Sequence, residues 1–174
     1  FWAPLVGEQA FSKTLTIVDD PLIVRGLASR RYDEEGISAR ALPIVEDGVV
    51  RNIYVDTYYG RKGDMQPTTG SPSNRVVRPG SHRLVELLSQ VGEGVYVTSW
   101  LGGNADGTTG DFSLGLRGHM IETGRIGRPV GDMNVTGNLR DLFSRLELVG
   151  NDPYPYSSTL APSLVFSDVD FSGA

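Results

Sequence analysis

Glycine is the feature that most restricts the folds available to this chain. It occurs 22 times in 174 residues, about one residue in eight, against roughly 7 % in an average protein. Many of these glycines separate short runs of β-branched and aromatic residues, which is the spacing of tight turns between short strands. The chain is therefore predicted to be mainly β.

Two segments have the pattern of a β-hairpin. Residues 40–45 and 49–55 are rich in Val and Ile, and "EDG" lies between them with Gly48 at the bend. The segment "MIETGRI" at 120–126 repeats this design with Gly124. Tight hairpin turns hold residues at positive φ, which glycine adopts without strain. We interpret both segments as packed hairpins rather than as glycine-rich active-site loops.

Two helices are predicted. Ser81 can cap a helix that ends at Gly92 or Gly94. Asn138 can cap a second helix, with Asp141 placed favourably in its first turn.

The remaining segments complete the predicted architecture. Residues 63–80 are rich in Gly, Pro, Ser and Thr and are predicted to form a long mobile loop. Further strands are expected at 15–18, 96–101 and 163–171, with a broad connection at 101–112 that turns at Gly102-Gly103 and Gly107. The predicted fold is α+β: an antiparallel sheet or partly closed barrel with two packed helices.

Charge and composition restrict the partners of this chain. The net charge is −5 and the basic residues are scattered, whereas binding to a nucleic-acid backbone requires a basic patch. No apolar run approaches the ~20 residues of a membrane span, and no secretion signal heads the sequence. The chain has no cysteine, which excludes disulfides and thiolate ligands. These features predict a cytoplasmic protein without nucleic-acid or membrane partners.

Catalytic motifs are scarce. His82 and His119 are the only histidines, and neither lies in an HExxH-like pattern, so both are interpreted as structural. No Gly-x-Ser-x-Gly elbow is present. The glycine-rich stretch at 101–112 lacks the Gly-Lys-Ser/Thr ending of a phosphate-binding loop. The carboxylates of Asp19-Asp20 and of residues 33–35 lack the spacing of a calcium loop and are interpreted as solvated turn residues.

Three segments carry a family resemblance: "TGDFS" at 109–113, "GNL" at 137–139 and "VGND" at 149–152. Together with "LTIVDDP" and "DEEGISARALPIVEDGVV", they resemble the C-terminal region of the TldD/PmbA family over roughly residues 6–173. The resemblance implies a single C-terminal domain over residues 1–174. Because the N-terminal family domain is missing and Phe1-Trp2 is an unusual start, the chain is expected to be a fragment.

The resemblance implies a cytosolic bacterial or archaeal peptidase system. In it, a TldD-type subunit carries a zinc ion on an HExxxH helix and a later cysteine, and pairs with a PmbA/TldE-type subunit that has no zinc site. Counting from "VGND" places Ala161 where the family cysteine is expected, and the helix would lie upstream of Phe1. "GDFSLGLRG" and "VTGNLRDLF" are closer to the PmbA type. No metal ligand is therefore expected in this chain, and zinc is expected in a TldD-type partner.

Three functions remain open on this basis. The first is a non-catalytic PmbA/TldE-like subunit that shapes the peptide channel and associates with a TldD-type subunit or with itself. The second is a zinc metallopeptidase whose HExxxH helix lies upstream, and the third is a regulator of DNA gyrase. The segment 109–113 either packs the domain, which is the favoured interpretation because strand glycines often permit close backbone approach, or contacts a peptide or partner. The candidate contacts are Thr109, Gly110, Asp111, Phe112 and Ser113. Further interface candidates, of which the first two could equally belong to the core, are Tyr58, Tyr59, Tyr154 and Tyr156.

Overall fold

A computed structural model describes residues 2–173. These residues form two compact units. The N-terminal unit comprises residues 2–79 and 152–162, and the ribbon unit comprises residues 80–151 and 163–173. The strands are β1 (Ile17–Asp19), β2 (Leu42–Glu46), β3 (Val49–Val50), β4 (Arg75–Val77), β5 (Gly94–Ala105), β6 (Asp111–Glu122), β7 (Arg125–Asn138), β8 (Leu146–Val149), β9 (Thr159–Leu160), β10 (Leu164–Phe166) and β11 (Phe171–Ser172). The helices are α1 (Thr57–Gly63), α2 (Leu84–Val91) and α3 (Leu139–Ser144), with a 3-10 turn at Ala3–Leu5.

The N-terminal unit contains a five-stranded sheet in the order β3-β2-β1-β4-β9. Its pairs are antiparallel except β4–β9, which is parallel. Leu15, Val45 and Val50 are almost completely buried in this unit. Burial of such side chains contributes about 1.5–3 kcal/mol each, so they anchor the sheet.

The hairpin predicted around Gly48 is confirmed. Val45 pairs with Val50, and the two turn residues have φ values of 48° at Asp47 and 82° at Gly48. The predicted extent of the second strand is wrong, because β3 ends at Val50. Beyond β3, the Ile44 carbonyl accepts hydrogen bonds from the N–H groups of both Arg51 at 2.9 Å and Asn52 at 3.5 Å, so regular pairing ends there.

The predicted loop at 63–80 contains more regular structure than its composition indicates. Strand β4 lies within it, and the helix α1 directly precedes it. Asp56 caps α1 by accepting a hydrogen bond from the Tyr59 N–H at 2.6 Å, and Asp64 ends it in the left-handed conformation. Both structures were missed because a three-residue strand and a seven-residue helix are too short for a clear periodicity.

The ribbon unit is built on three long antiparallel strands. The sheet order is β11-β7-β6-β5, and β5 is therefore an edge strand. The predicted hairpin at 120–126 is confirmed, with Thr123 at φ 50° and Gly124 at φ 75°. A buried cluster on one face of the sheet comprises Phe112, Leu116, Val130 and Val135, and Leu139 and Leu142 pack against it.

Strand glycines in this unit permit close approach of neighbouring backbones. A Cβ atom on Gly118 would lie 2.1 Å from the Tyr96 carbonyl oxygen, and one on Gly103 would lie 2.2 Å from that of Ser113. The turn predicted at Gly102-Gly103 is wrong, because β5 continues to Ala105. These glycines serve the strand itself, where interior glycine often marks a bulge or a close backbone contact.

The helix predictions are partly confirmed. Asn138 caps α3 as predicted, accepting a hydrogen bond from the Arg140 N–H at 2.9 Å. The predicted cap of α2 is wrong, since Arg83 occupies that position and its N–H donates to Glu86 at 2.8 Å. His82 precedes α2 and forms a bridge with Gly150.

The last predicted strand is two strands. β10 pairs with β8 and β11 pairs with β7, and Asp168 at φ 49° turns the chain between them. A mainly β, α+β fold with antiparallel sheets is confirmed. The alternative of a partly closed barrel is wrong for residues 2–173, whose sheets stay open, and three α-helices replace the predicted two.

Candidate peptide-contact site

The residues predicted as peptide or partner contacts lie at the turn between β5 and β6. Asp106 organises this turn: its carboxylate accepts hydrogen bonds from the N–H groups of Thr108 at 2.6 Å and Thr109 at 3.3 Å. The Gly110 N–H donates to the Asp106 carbonyl at 2.8 Å, with Gly110 at φ 83°. Backbone geometry therefore explains the glycine of "TGDF".

Asn138 joins this turn to the beginning of α3. Its side-chain amide donates to the Thr109 carbonyl at 3.0 Å and to the Asp111 carboxylate at 2.8 Å. The Leu139 N–H adds a bond to the Gly110 carbonyl at 2.8 Å. Two segments that carry the family resemblance, 109–113 and 137–139, are thus one hydrogen-bonded structure.

The five candidate residues differ in accessibility. Phe112 belongs to the buried cluster and Gly110 is buried, whereas Thr109, Asp111 and Ser113 are exposed. Hydrogen bonds from the Asn138 amide, and then from the Thr109 hydroxyl, lower the pKa of Asp111. Packing accounts for Gly110 and Phe112, and contact with a peptide stays a prediction for the other three.

The edge strand β5 is the most open feature of the ribbon unit. Its inner edge pairs with β6, and within residues 2–173 no strand pairs with its outer edge. Its last eight residues, 98–105, are exposed. An unpaired strand edge offers a row of backbone N–H and C=O groups to another chain. The sequence pattern predicts only residues 96–101 of this strand, and it does not predict that the strand lies at an edge.

A buried polar cluster lies in the N-terminal unit. Asp19 is 2 % exposed and accepts hydrogen bonds from the Ser73 N–H at 2.8 Å, from the Ser73 hydroxyl and from the Tyr54 hydroxyl at 2.6 Å. Burial, and then the bond to Asp19, raises the pKa of Tyr54. The interpretation of Asp19 as a solvated turn residue is wrong, because its carboxylate connects β1 to the segment before β4.

Asp33 is also buried, and it organises its own loop. Its carboxylate accepts hydrogen bonds from the N–H groups of Glu35 at 3.0 Å and Ile37 at 2.9 Å. Glu35 in turn accepts a bond from the Thr57 N–H at 2.9 Å. The acidic run at 33–35 therefore holds the backbone in place, and Asp33 is not the solvated residue that was predicted.

Ala161 follows β9 in the N-terminal unit. It is half-buried, and its carbonyl accepts a hydrogen bond from the Tyr154 N–H at 3.3 Å. Within residues 2–173, no three side chains among His, Cys, Asp and Glu converge as ligands for a metal ion. The methyl group of Ala161 cannot coordinate zinc.

The four tyrosines considered as interface candidates are all exposed. Tyr58 and Tyr59 form an edge-to-face pair with ring centroids 5.1 Å apart, and Tyr154 and Tyr156 form another at 5.7 Å. The alternative that Tyr58 and Tyr59 belong to the core is wrong. Among the described residues, no helix is long and apolar enough to cross a membrane.

Comparison with known proteins identifies the class. Residues 1–173 match the family profile of the PmbA/TldA metallopeptidase C-terminal domain, and the chain belongs to this family.

Individual relatives agree with this assignment. The chain is similar to metalloprotease PmbA of Escherichia coli O157:H7, at 29 % identity over 170 residues that cover 97 % of this chain and 38 % of the relative. A crystal structure from Bacteroides thetaiotaomicron, named a modulator of DNA gyrase, has 41 % identity and a TM-score of 0.96 and covers 100 % of this chain and 40 % of that one. TldE from Thermococcus kodakarensis, at 21 % identity and a TM-score of 0.89, shares the fold over 99 % of this chain and 42 % of its own. The chain spans about two-fifths of the length of these proteins.

Proposed function

We propose that this domain is the peptide-guiding part of a non-catalytic PmbA/TldE-type subunit. In this proposal the subunit associates with a zinc-bearing TldD-type subunit, or with a second copy of itself, and the complex degrades or matures small peptides. The observation that carries the proposal is the open edge of β5. An extended peptide would add to this edge as a further strand, because pairing through the main chain tolerates many sequences.

The composition of β5 supports this role. Its twelve residues contain neither a charged residue nor a proline, although soluble proteins commonly use both to protect exposed strand edges. β5 does contain two irregularities in its pairing with β6, one at Thr98 and one at Leu101. From Gly102 to Ala105 the register with β6 is uninterrupted, with φ values of 111° at Gly102 and 131° at Gly103. This stretch leads to the turn that holds Thr109 and Asp111, so a strand added there would end beside the candidate contacts.

Two apolar side chains lie on the same exposed stretch. Trp100 is 56 % exposed and the adjacent Leu101 is 47 % exposed. Tryptophan is enriched among residues that dominate binding energies, and burying apolar surface contributes about 25 cal/mol per Å². Apolar residues of a bound peptide are therefore expected to contact Trp100 and Leu101.

Ala161 supports the non-catalytic part of the proposal. It stands where the family resemblance implies a cysteine ligand, and the loss of one of three protein ligands usually removes a catalytic zinc site. Metal analysis of the natural polypeptide that carries this domain, with and without a TldD-type subunit, tests this part. We expect zinc and peptide cleavage only with the partner. Stoichiometric zinc and cleavage by the polypeptide alone would favour the zinc-peptidase alternative.

Backbone NMR of the 174-residue chain tests the peptide-guiding part. Titration with a short unstructured apolar peptide is expected to shift amide signals of β5 between Thr98 and Ala105. Signals of β9, in the N-terminal unit, serve as the reference that stays unchanged. Shifts confined to other surfaces would contradict the peptide-guiding role. Shifts of β5 signals that depend on protein concentration alone would also contradict it, because they would indicate that β5 pairs with a second copy and not with a peptide.

A further inference from the structure

A groove crosses the ribbon unit where its strands are irregular. It has a volume of about 450 Å³, and the residues that line it include Thr98 of β5, Arg117 and His119 of β6, and Pro129 and Gly131 of β7. Pockets for small ligands range from about 300 to 1,000 Å³. The groove is open to solvent, and its volume is sufficient for the end of a peptide.

Bulges on both sides of β6 create this groove. Thr98 is an extra residue between the pairs Val97–Gly118 and Ser99–Arg117. On the other side, residues 131–132 of β7 stand opposite Arg117 alone, between the pairs Leu116–Met133 and Gly118–Val130. Bulges bend a strand and redirect its side chains, and they are frequent beside functional sites.

Arg117 and His119 lie on the same face of β6. Leu116 is completely buried in the core, and side chains of a strand alternate between its faces, so Arg117 and His119 lie on the opposite face. Arg117 is exposed, and among the described residues its guanidinium forms neither an ion pair nor a hydrogen bond. Its positive charge is therefore available to a ligand.

The two ring nitrogens of His119 differ in their surroundings. Its Nδ1 atom is buried without a hydrogen-bond partner. Nδ1 therefore has no acceptor among the described residues, which leaves Nε2 as the ring nitrogen whose N–H can be donated to a ligand. The Thr98 hydroxyl is already used, since it donates to the Arg117 carbonyl at 3.2 Å. That bond fixes the bulged segment beside the two donors.

We propose that this groove binds a peptide carboxylate, with the Arg117 guanidinium and the His119 Nε2–H as its donors. Arginine presents two parallel N–H groups that match the geometry of a carboxylate, and the neighbouring imidazole adds a third donor. The inference rests on the proposed function, because Thr98 belongs to the strand whose edge receives the peptide. It narrows the substrate class to peptides with a free carboxylate at the C-terminus or on an acidic side chain near that end.

Three peptides, which share one neutral sequence apart from a single glutamate in the third, test this inference on the 174-residue chain. The first has a free C-terminal acid, the second a C-terminal amide, and the third a C-terminal amide with an internal glutamate. We expect the acid to bind about tenfold more tightly than the plain amide, as for the gain of a charge-assisted hydrogen bond. Ring signals of His119 are expected to shift in NMR spectra, with His82 as an internal reference.

Two groove variants and one matched control complete the experiment. Arg117→Gln and His119→Leu are expected to reduce the preference for the acid. Arg125→Gln, which changes an exposed arginine at the start of β7, is expected to retain it. Far-UV circular dichroism establishes that each variant is folded. If one groove variant is unfolded, free acetate serves as a second probe of carboxylate binding to the unchanged chain.

The results that would overturn this inference differ from those that would overturn the proposed function. A preference for the acid supports a C-terminal carboxylate, and equal tightness of the glutamate peptide supports an acidic side chain. Equal binding of all three peptides overturns the inference, even if the peptides shift β5 signals as the proposed function requires. A preference for the acid without shifts at the β5 edge would instead overturn the proposed function alone.

Discussion

The Asn138 side-chain amide donates a hydrogen bond to the Asp111 carboxylate at 2.8 Å, across 27 positions of sequence. The same side chain caps α3 and bonds the carbonyl of Thr109. One residue thereby holds the turn after β5 against the junction of β7 and α3. This arrangement gives a physical reason why "TGDF" and "GN" occur together in the chain.

Replacing Asn138 with alanine is expected to destabilise the domain. The change Asn138→Ala removes an N-cap, which typically costs about 0.5–2 kcal/mol, and two further hydrogen bonds of about 1 kcal/mol each. We expect urea unfolding to show a loss of about 3 kcal/mol in the free energy of unfolding. Asn104→Ala is the control, because Asn104 is exposed on β5 and makes no side-chain hydrogen bond among the described residues. Equal effects of the two changes would contradict the role of Asn138.

The pKa of Asp111 predicts a pH dependence of stability. The Asn138 amide and the Thr109 hydroxyl lower this pKa in the folded state. The charged form is therefore favoured by folding, and its contribution is present above the unfolded pKa of about 3.9. The contribution disappears as the pH falls through the lower folded pKa.

The measurement compares the natural chain with Asp111→Asn. The difference in thermal midpoint is expected to be constant near neutral pH and to shrink below about pH 4. In ¹³C NMR, Asn138→Ala is expected to raise the pKa of Asp111. A stability difference that grows as the pH falls would contradict the assigned sign.

A methyl group at Gly118 is expected to disrupt the ribbon. In Gly118→Ala the new Cβ atom would lie 2.1 Å from the Tyr96 carbonyl oxygen, so β5 and β6 would have to separate locally. We expect a loss of about 3 kcal/mol or more, at the upper end of the range for single substitutions. Gly107→Ala is the control, since nothing lies within 4 Å of its Cβ position. A stable Gly118→Ala chain would show that the backbones are not so close.

Local patterns predicted the parts of the fold that local chemistry determines. The turns at Gly48 and Gly124 were predicted because positive φ is a property of the turn itself, and Asn138 was predicted as a cap because capping acts over two or three residues. Arg83 was missed as a cap because it is not one of the residues that usually cap helices. The burial of Asp19 was missed because its donors, Ser73 and Tyr54, are distant in sequence.

The candidate site was predictable only in part. The family resemblance pointed to Thr109 and its neighbours, but the partner role of Asn138 depends on the pairing of β6 with β7. The unpaired edge of β5 follows from the order of the whole sheet, which no local pattern encodes. The groove beside Arg117 and His119 results from bulges in the pairing of β6 with β5 and β7. A bulge depends on which strands pair, and the pattern of a single segment does not predict that pairing.

Trp100 is expected to contribute to peptide binding and little to stability. Its side chain is 56 % exposed, so Trp100→Ser removes little of the buried core, but it removes an apolar contact beside the open edge. We expect peptide affinity to fall about tenfold, since loss of a central aromatic contact costs over 1 kcal/mol. Ile126→Ser, at a 47 % exposed position of β7, is the control expected to bind normally. Equal loss of affinity in both variants would indicate a nonspecific apolar effect.

Selective N-methylation of the peptide tests strand addition at β5 most directly. Successive N–H groups of an added strand point alternately toward the sheet edge and away from it. The test uses one peptide whose residues alternate between apolar and polar. In one version every odd-numbered amide is N-methylated, and in the other every even-numbered amide is N-methylated. The alternation of apolar and polar residues disfavours a slip of the peptide by one residue along β5, because such a slip would exchange the two faces of the peptide. We predict that one version binds to the 174-residue chain like the unmodified peptide and that the other binds more than about tenfold more weakly. Equal binding of the two versions would contradict main-chain pairing at the edge of β5.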